Sequence, residues 1–562
     1  MTIKQQIEAD LRAAFVKLNF APEAAVISVS TQDICDYQCN ACFALGKQFK
    51  KPPRELAAQI AAAFKSAAAT AEAHPSGFLN FRVTDAALTD TAERIVKTSR
   101  LPMPSCDPNT VFFDYGGANV AKETHVGHLR PAIVGEALKR VYKALGHKTV
   151  SDVYFGDWGL QMGLVIAQLD DEGFIANGKF VKEVTLDTFN TLYPRASKRK
   201  DAEPDFRARA EQITLEIQQK SKPNYDLYLH IREISVAKLN ENYKEINCTF
   251  DLSNGESTAA PYVDEVIELL VAKGAYENKN ALIMDIAEPA DTGPMPPVIL
   301  KKHNGGDLYA TSDIATIYYR YKDFKPSEFI YVADARQELH FKQVFRCVKK
   351  GGLVPPATKF THVAFGTMNG TDGKPFKTRA GGTIKFGEVI NLVTQAAAAR
   401  LRENGKAANP ALARKIGISA LKFADLSNHV RKDYIFDIDK FTSFEGKTGP
   451  YLLYTVARIN SVLKRMQNAK CKMQNNSEIK VDENTRNLLV KVLKLADSYP
   501  AAAQNYTLNG LADAAYALAQ AFNLFYANVK LLDSPYLPVA VLVKTALTFA
   551  LDTLAIDTVD KM

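Results

Sequence analysis

Hydrophobic positions along this chain change their period twice and so divide it into three stretches. From residue 1 to about 108 they recur first at helical spacing, then in alanine-rich runs such as Arg54–Phe64, and last in the strand-like Gly77-Phe-Leu-Asn-Phe-Arg-Val83. Leu101-Pro-Met-Pro-Ser-Cys-Asp-Pro108 is turn-rich and predicts a linker. From 109 to about 405 short β-branched and aromatic runs alternate with amphipathic helices, which predicts a doubly wound, mostly parallel sheet. Within it, the stretches near 165–230 and 256–305 are irregular and are expected to be insertions. From 406 to 562 the pattern is almost wholly helical. The expected fold is an α/β domain between an α+β N-terminal domain and an all-α C-terminal bundle.

The first strand-to-helix step is the most legible. Val111-Phe-Phe-Asp-Tyr115 is short, β-branched and aromatic, and Gly116-Gly117 follows it, so a buried strand ends there in a turn. Leu129, Ile133, Val134, Leu138, Val141 and Leu145 then keep helical spacing, with Pro131 in the first turn and Gly146 as a stop. His125, Gly127 and His128 fall at the mouth of that helix. A helix N-terminus offers unpaired N–H groups and partial positive charge, which favours phosphate. Gly127 lets a flat ring or a phosphate approach the backbone. A chance pairing of histidines at a helix start is the competing interpretation.

Three further clusters follow later strand ends, where ligands of open α/β sheets bind. Val150–Phe155 runs into Gly156-Asp157-Trp158-Gly159, which suits a ribose or base lying on bare backbone. Leu308-Tyr309-Ala-Thr-Ser-Asp313 precedes the strand Phe329–Val332, itself followed by Asp334-Ala-Arg336-Gln337-Glu-Leu-His340. Asp372-Gly-Lys374-Pro-Phe-Lys377-Thr-Arg379-Ala-Gly381-Gly382 is a basic, glycine-rich loop able to close over a polyphosphate.

Composition adds limits. A length of 562 residues suits three or four domains, and 47% hydrophobic with 23% charged residues is ordinary for a globular protein. The net charge of +8 is compatible with a polyanionic partner, and between 411 and 470 there are 11 Lys and Arg against 5 Asp and Glu. No apolar run approaches the ~18 residues of a membrane span, and Met1–Asp10 carries no signal pattern, so a cytoplasmic protein is expected. Cys35, Cys39 and Cys42 would share one face if they lay on a helix. No second Cys or His pair follows to complete a zinc site, so reduced buried thiols are expected and no zinc.

With these residues in view the chain resembles class I aminoacyl-tRNA synthetases, and among them the arginyl-tRNA synthetases. His125-Val-Gly-His128 is similar to the class signature, and the Lys374–Arg379 loop to its Lys-Met-Ser-Lys-Ser counterpart. Asn119-Val-Ala-Lys122, Gly156-Asp-Trp-Gly159, Asp334-Ala-Arg-Gln337, Phe436-Asp437 and Glu445-Gly-Lys-Thr-Gly-Pro-Tyr451 resemble the arginine family in particular. So do Asp36–Asn40, Gly77–Phe81 and the terminal Met562. The resemblance covers nearly the whole length.

The resemblance implies a Rossmann-type catalytic domain over 109–405, an additional tRNA-binding domain over 1–108 and an anticodon-binding domain over 406–562. It implies that arginine is activated by ATP, with accompanying magnesium but no dedicated metal cage, and transferred to tRNA(Arg), tRNA being needed for activation. His125 and His128 are implied to stabilise charge on the transferring phosphate, and Lys122 to supply a charge missing from the irregular loop. That loop aligns in more than one way, which leaves Lys374, Lys377 and Arg379 as the cations near pyrophosphate. Gly127, Gly156, Asp157, Gly159 and His340 are implied for ATP. Asp114, Asn119, Tyr309, Asp313 and Gln337 are implied for arginine, a planar five-donor fork best met by carboxylates and carbonyls. Asp114 stands where the family usually has glutamate, and Ser312 where it commonly has arginine. Tyr451, Tyr454, Tyr526 and Met562 are implied for tRNA, and a monomer is expected. Another class I synthetase, for cysteine or leucine, would show zinc ligands or a long editing insertion. A regulatory relative without catalysis would have lost His125, His128 or Asp313.

Overall fold

The computed structural model describes residues 1–30, 34–104, 106–278, 281–301, 309–374, 384–407, 409–468, 479, 481–531 and 534–562. Its central layer is a four-stranded parallel sheet in the order Lys359–Phe365, Glu328–Asp334, Thr110–Tyr115, Lys148–Asp152. Val150, Phe112, Phe329 and Phe360 form one row across the strands, and Ser151, Phe113, Ile330 and Thr361 form the next row, facing the other side. Both faces are covered. Phe113 meets Tyr142 of the helix Leu129–Ala144 at 5.4 Å, and Phe112 meets Phe324 of the helix Tyr309–Phe324 at 5.7 Å. Burial on both sides is why these strands read as continuous apolar runs rather than alternating ones.

The chain leaves Thr110–Tyr115 for Lys148–Asp152 on one side and returns to the other side only at Glu328. The strand order therefore reverses beside Tyr115. A crevice opens beyond the carboxyl ends at such a reversal, and that is where this fold can hold a ligand.

The stretch near 165–230, expected to be irregular, is helical, with helices Leu160–Asp171, Leu186–Ala202, Pro204–Gln218 and Asn224–Glu245. Its apolar stripes are thin. Leu227, Tyr228, Ile231, Ser235, Leu239 and Tyr243 bury the last of these helices, and Ser and Tyr mask the periodicity. Charge pairs lace the rest, Asp171 taking Arg199 at 2.7 Å and Arg209 at 2.6 Å. The second insertion contains a small antiparallel sheet of Tyr276–Asn278, Ala281–Met284 and Val298–Lys301.

The N-terminal domain is an antiparallel sheet ordered Ser28–Val29, Tyr37–Cys39, Leu79–Val83, Ala69–Ala73, packed with helices such as Pro53–Ala63. Cys39 ends a strand and Cys42 opens the helix Ala41–Phe49, so the three cysteines share no helical face, and all are buried free thiols. The C-terminal region is helical, with Gly449–Asn468, Arg486–Asn505, Asn509–Asn528 and Leu537–Thr553. Arg486 joins it to the N-terminal domain through Asp36 and Asp85, both at 2.8 Å. No helix among the described residues is long and apolar enough to cross a membrane.

Candidate active site

The loop from Asn119 to His128 is shaped by backbone bonds to its neighbours. Asn119 forms an isolated parallel bridge with Gly156, and Val120 N–H donates to the Gly156 carbonyl at 3.0 Å. A Cβ on Gly156 would lie 2.2 Å from Asn119 Oδ1, so only glycine admits that approach. Ala121 adopts φ +60°, a left-handed conformation that costs a non-glycine residue about 1 kcal/mol or more. Ser235 Oγ accepts its N–H at 3.1 Å and holds it there.

His125 and His128 are fixed by the same means. Nδ1 of His125 accepts the Gly127 N–H and Nδ1 of His128 accepts the His125 N–H, each at 3.1 Å. An imidazole that accepts at Nδ1 carries its proton on Nε2. Burial lowers the pKa of both, that of His128 to about 4 with His125 adding to the effect, and Lys122 adds to it at His125. Two neutral rings 4.1 Å apart thus each present an Nε2–H donor at the helix mouth. A Cβ on Gly127 would come within 2.8 Å of the His125 ring.

The crevice is a cavity of about 880 Å3 lined by Asp114, Asn119, His125, Gly127, His128, Gly156, Tyr309, Asp313, Gln337 and His340. The sheet and its connections thus bring ten of the expected residues together. Asp313 Oδ2 bonds His340 Nε2 at 2.6 Å. Asp114 Oδ2 accepts from the buried Arg320 at 2.7 Å. Burial pushes the Asp114 carboxyl up to about 6, with Arg320 opposing and Asp152 and Asp313 adding.

Other expected residues lie elsewhere. Asp157 is fully buried, with Arg232 at 2.7 Å and the Ser257 N–H at 2.9 Å on its carboxylate, so it braces the turn instead of lining the cavity. Gly159 caps the helix Leu160–Asp171, also off the wall. Lys122 lies over the Tyr193 ring at 4.3 Å, off the cavity wall. Lys374 is exposed on a turn that closes through the Gly370 N–H to the Lys374 carbonyl at 2.8 Å. Lys377 and Arg379 lie outside the described residues. The chain rejoins the signature loop just after them: Val126 N–H donates to the Ile384 carbonyl and Phe386 N–H to the Thr124 carbonyl, both at 3.0 Å, and Lys385 pairs Glu123 at 2.6 Å.

One lining carboxylate had no motif to mark it. Glu256 opens a short helix in the second insertion, and its Oε2 accepts the Trp158 N–H at 3.3 Å. Burial pushes its carboxyl up to about 7, opposed by that N–H and reinforced by Asp157 and Asp313. Nothing in the local sequence signals it, because the segment reaches the crevice through long-range pairing, with parallel bridges of Asp152 to Leu252 and Phe155 to Gly255.

A second cavity, of about 380 Å3, lies in the C-terminal domain and is lined by Lys406, Tyr454, Arg458, Arg465, Tyr526 and Met562 among others. The Arg458 guanidinium faces the Tyr454 ring at 4.7 Å and the Tyr526 ring at 5.1 Å. Tyr451 is not on this wall and packs instead against Tyr516 at 5.4 Å.

A doubly wound sheet whose order reverses beside a His-x-Gly-His helix mouth, joined to a helical C-terminal domain, is the architecture of the class I aminoacyl-tRNA synthetases. The description "tRNA synthetases class I (R), catalytic domain" matches residues 92–438, "Arginyl tRNA synthetase N terminal domain" matches 1–83, and "DALR anticodon binding domain" matches 452–562. The chain is 38% identical over 587 residues to the arginine–tRNA ligase of Alkaliphilus oremlandii, covering 99% of each. It is 36% identical to that of Agathobacter rectalis, again over 99% of each. In fold it matches the arginyl-tRNA synthetases of Plasmodium falciparum, with TM-score 0.85 at 22% identity, and Thermus thermophilus, with TM-score 0.81 at 23%, each over 100% of both chains. The chain belongs to the arginyl-tRNA synthetase family.

Proposed function

We propose that this chain joins the carboxylate of L-arginine to the α-phosphate of ATP, releasing pyrophosphate, and transfers the arginyl group to the 3′ terminal adenosine of tRNA(Arg), with tRNA required for the first step. The observation that carries this reading is one cavity holding two neutral imidazole donors together with the carboxylates of Asp313, Glu256 and Asp114. Charge develops on the phosphoryl oxygens as pyrophosphate leaves, and donors already aimed and desolvated stabilise it without reorganising. His125 and His128 fill that part, and Lys122 raises the local positive potential near them. Gly127 and Gly156 leave bare backbone for the nucleotide, with His340 beside it. Asn119, Tyr309 and Gln337 surround the amino acid, whose guanidinium meets Asp313 and Glu256.

Lys374, Lys377 and Arg379 are the cations for the departing pyrophosphate. Magnesium would arrive with ATP. The Tyr454, Arg458, Tyr526 and Met562 cavity suits an unstacked tRNA base, which stacks on aromatic and guanidinium planes; Tyr451 contributes beside it. We take the protein to act as a cytoplasmic monomer.

The test is formation of aminoacyl-tRNA from ATP, tRNA and each amino acid in turn. Charging with arginine alone is expected. Charging with cysteine instead would exclude the reading, and tight tRNA binding with no charging at all would favour a regulatory protein.

A further inference from the structure

The arginine site contains an arginine of the chain's own. Arg320 lies on the helix Tyr309–Phe324, which also carries Tyr309 and Asp313, and its side chain is fully buried. Nη1 bonds Asp114 Oδ2 and Nη2 bonds Asp152 Oδ2, both at 2.7 Å, while Nη1 also reaches the Tyr331 hydroxyl at 3.2 Å. The guanidinium faces the Phe112 ring at 4.7 Å and the Tyr154 ring at 5.1 Å. Asp114 and Asp152 are direct partners on adjacent parallel strands, so two carboxylates meet side by side and the guanidinium between them offsets their repulsion. Nε finds no acceptor among the described residues, so the two carboxylates, with the Tyr331 hydroxyl and the flanking rings, set the plane of the group.

We propose that Arg320 is a positioning residue for arginine binding, holding Asp114 in one rotamer and taking up one of its oxygens so that Asp114 offers the substrate a single acceptor. This rests on the reading of the cavity as an arginine site. A carboxylate free on both oxygens takes a guanidinium as a two-bond fork. Asp114 is already engaged at Oδ2, and no described residue donates to Oδ1. Asp114 therefore accepts one substrate N–H. Asp313, with Oδ2 engaged by His340, and Glu256, with Oε2 engaged by the Trp158 N–H, are not free on both oxygens either, so arginine is separated from lysine by single acceptors spread over three carboxylates. Asp114 thus bridges to Arg320 while keeping its place on the cavity wall.

The experiment measures KM for arginine, KM for ATP and kcat for Arg320→Lys in the full chain, alone and combined with Asp114→Asn. Lysine keeps the charge but cannot bridge both carboxylates in one plane. The arginine KM is expected to rise about 10- to 100-fold, since a misplaced contact group loses that much, with the ATP KM within about twofold of the parent. In the Asp114→Asn background the same change is expected to add less than about twofold, because residues acting through one contact are not additive. Equal rises in both KM values, or full additivity with Asp114→Asn, overturn the proposal. Should Arg320→Lys fail to fold, Asp152→Asn decides. It keeps the Oδ1 acceptor for the Asn254 N–H and releases only Nη2, so a raised arginine KM is expected and an unchanged one overturns the proposal. If the unmodified chain does not activate arginine, the functional reading itself falls; if it does and the variants bind arginine like the parent, only the role of Arg320 falls.

Discussion

An imidazole whose Nδ1 is occupied by a backbone N–H has one job left for its proton. Both signature rings are in that state, so His125→Ala removes one Nε2–H donor from the crevice. It is expected to lower kcat about 100-fold, with the tRNA dissociation constant within about twofold of the parent. Single-turnover kinetics beside a filter-binding titration would show it, and equal losses in both would refute the assignment. Glu256 sets a pH dependence whose sign follows from its burial. The carboxyl titrates near 7 in the free site and must be ionised to meet a guanidinium, so affinity is present above that pH and lost below it. The arginine KM is expected to rise about tenfold per unit as pH falls below 7, and Glu256→Gln to flatten the profile. An unchanged profile in that variant would assign the titration elsewhere. The histidines were legible because a glycine and a helix start flank them; Glu256 was not, because its partners lie about 100 residues away.

At the scale of elements, the helix Leu129–Ala144 has to lie hard against the strand Thr110–Tyr115 for the donors to face the crevice. Gly135 permits this: a Cβ there would stand 2.2 Å from the Tyr115 ring. Tyr115 cannot turn away easily, since its hydroxyl bonds the buried Glu136 at 2.8 Å. Gly135→Ala is therefore expected to destabilise the chain by about 1–3 kcal/mol, the usual range for overpacking, despite the better helix propensity of alanine. A denaturant melt would check this, and a midpoint at or above that of the parent would contradict the packing argument. The strand and helix themselves were readable from apolar spacing and the glycines that punctuate them. The insertion helices were not, because their stripes are narrow and they bury them against one another.

Across the whole molecule, one buried ion pair ties the site to the helices that follow. Arg130, in the first turn of the signature helix, bonds Asp425 at 3.4 Å with both side chains about 2% exposed, and Nη1 takes the Lys432 carbonyl at 2.9 Å. Asp425 also accepts from Tyr434 at 3.1 Å. Removing one partner leaves the other buried and unpaired, so Asp425→Ala is expected to cost about 3–5 kcal/mol. The loss would appear as a lowered denaturant midpoint, with arginine activation weakened at temperatures where the parent is intact, because Arg130 adjoins His128. An Arg130→Met, Asp425→Leu pair is expected to recover most of the stability but not the activity. Failure of the single variant to destabilise would mean that water reaches the pair. The catalytic-domain match extends to residue 438. Helix Pro410–Leu426 falls inside that match, carries Asp425 and packs on the signature helix.

The sequence by itself determined the signature strand and helix, the parallel sheet and the family, because periodicity and short motifs are local and survive without knowledge of contacts. Only the tertiary structure decided which polar groups share the crevice. Asp157 stands inside a matching motif yet turns into the core toward Arg232, while Glu256, far along the chain, is carried to the wall by strand pairing, and Arg320 is brought beneath it to hold Asp114. A side chain's neighbours are set by which faces the sheet buries, and that depends on residues hundreds of positions apart.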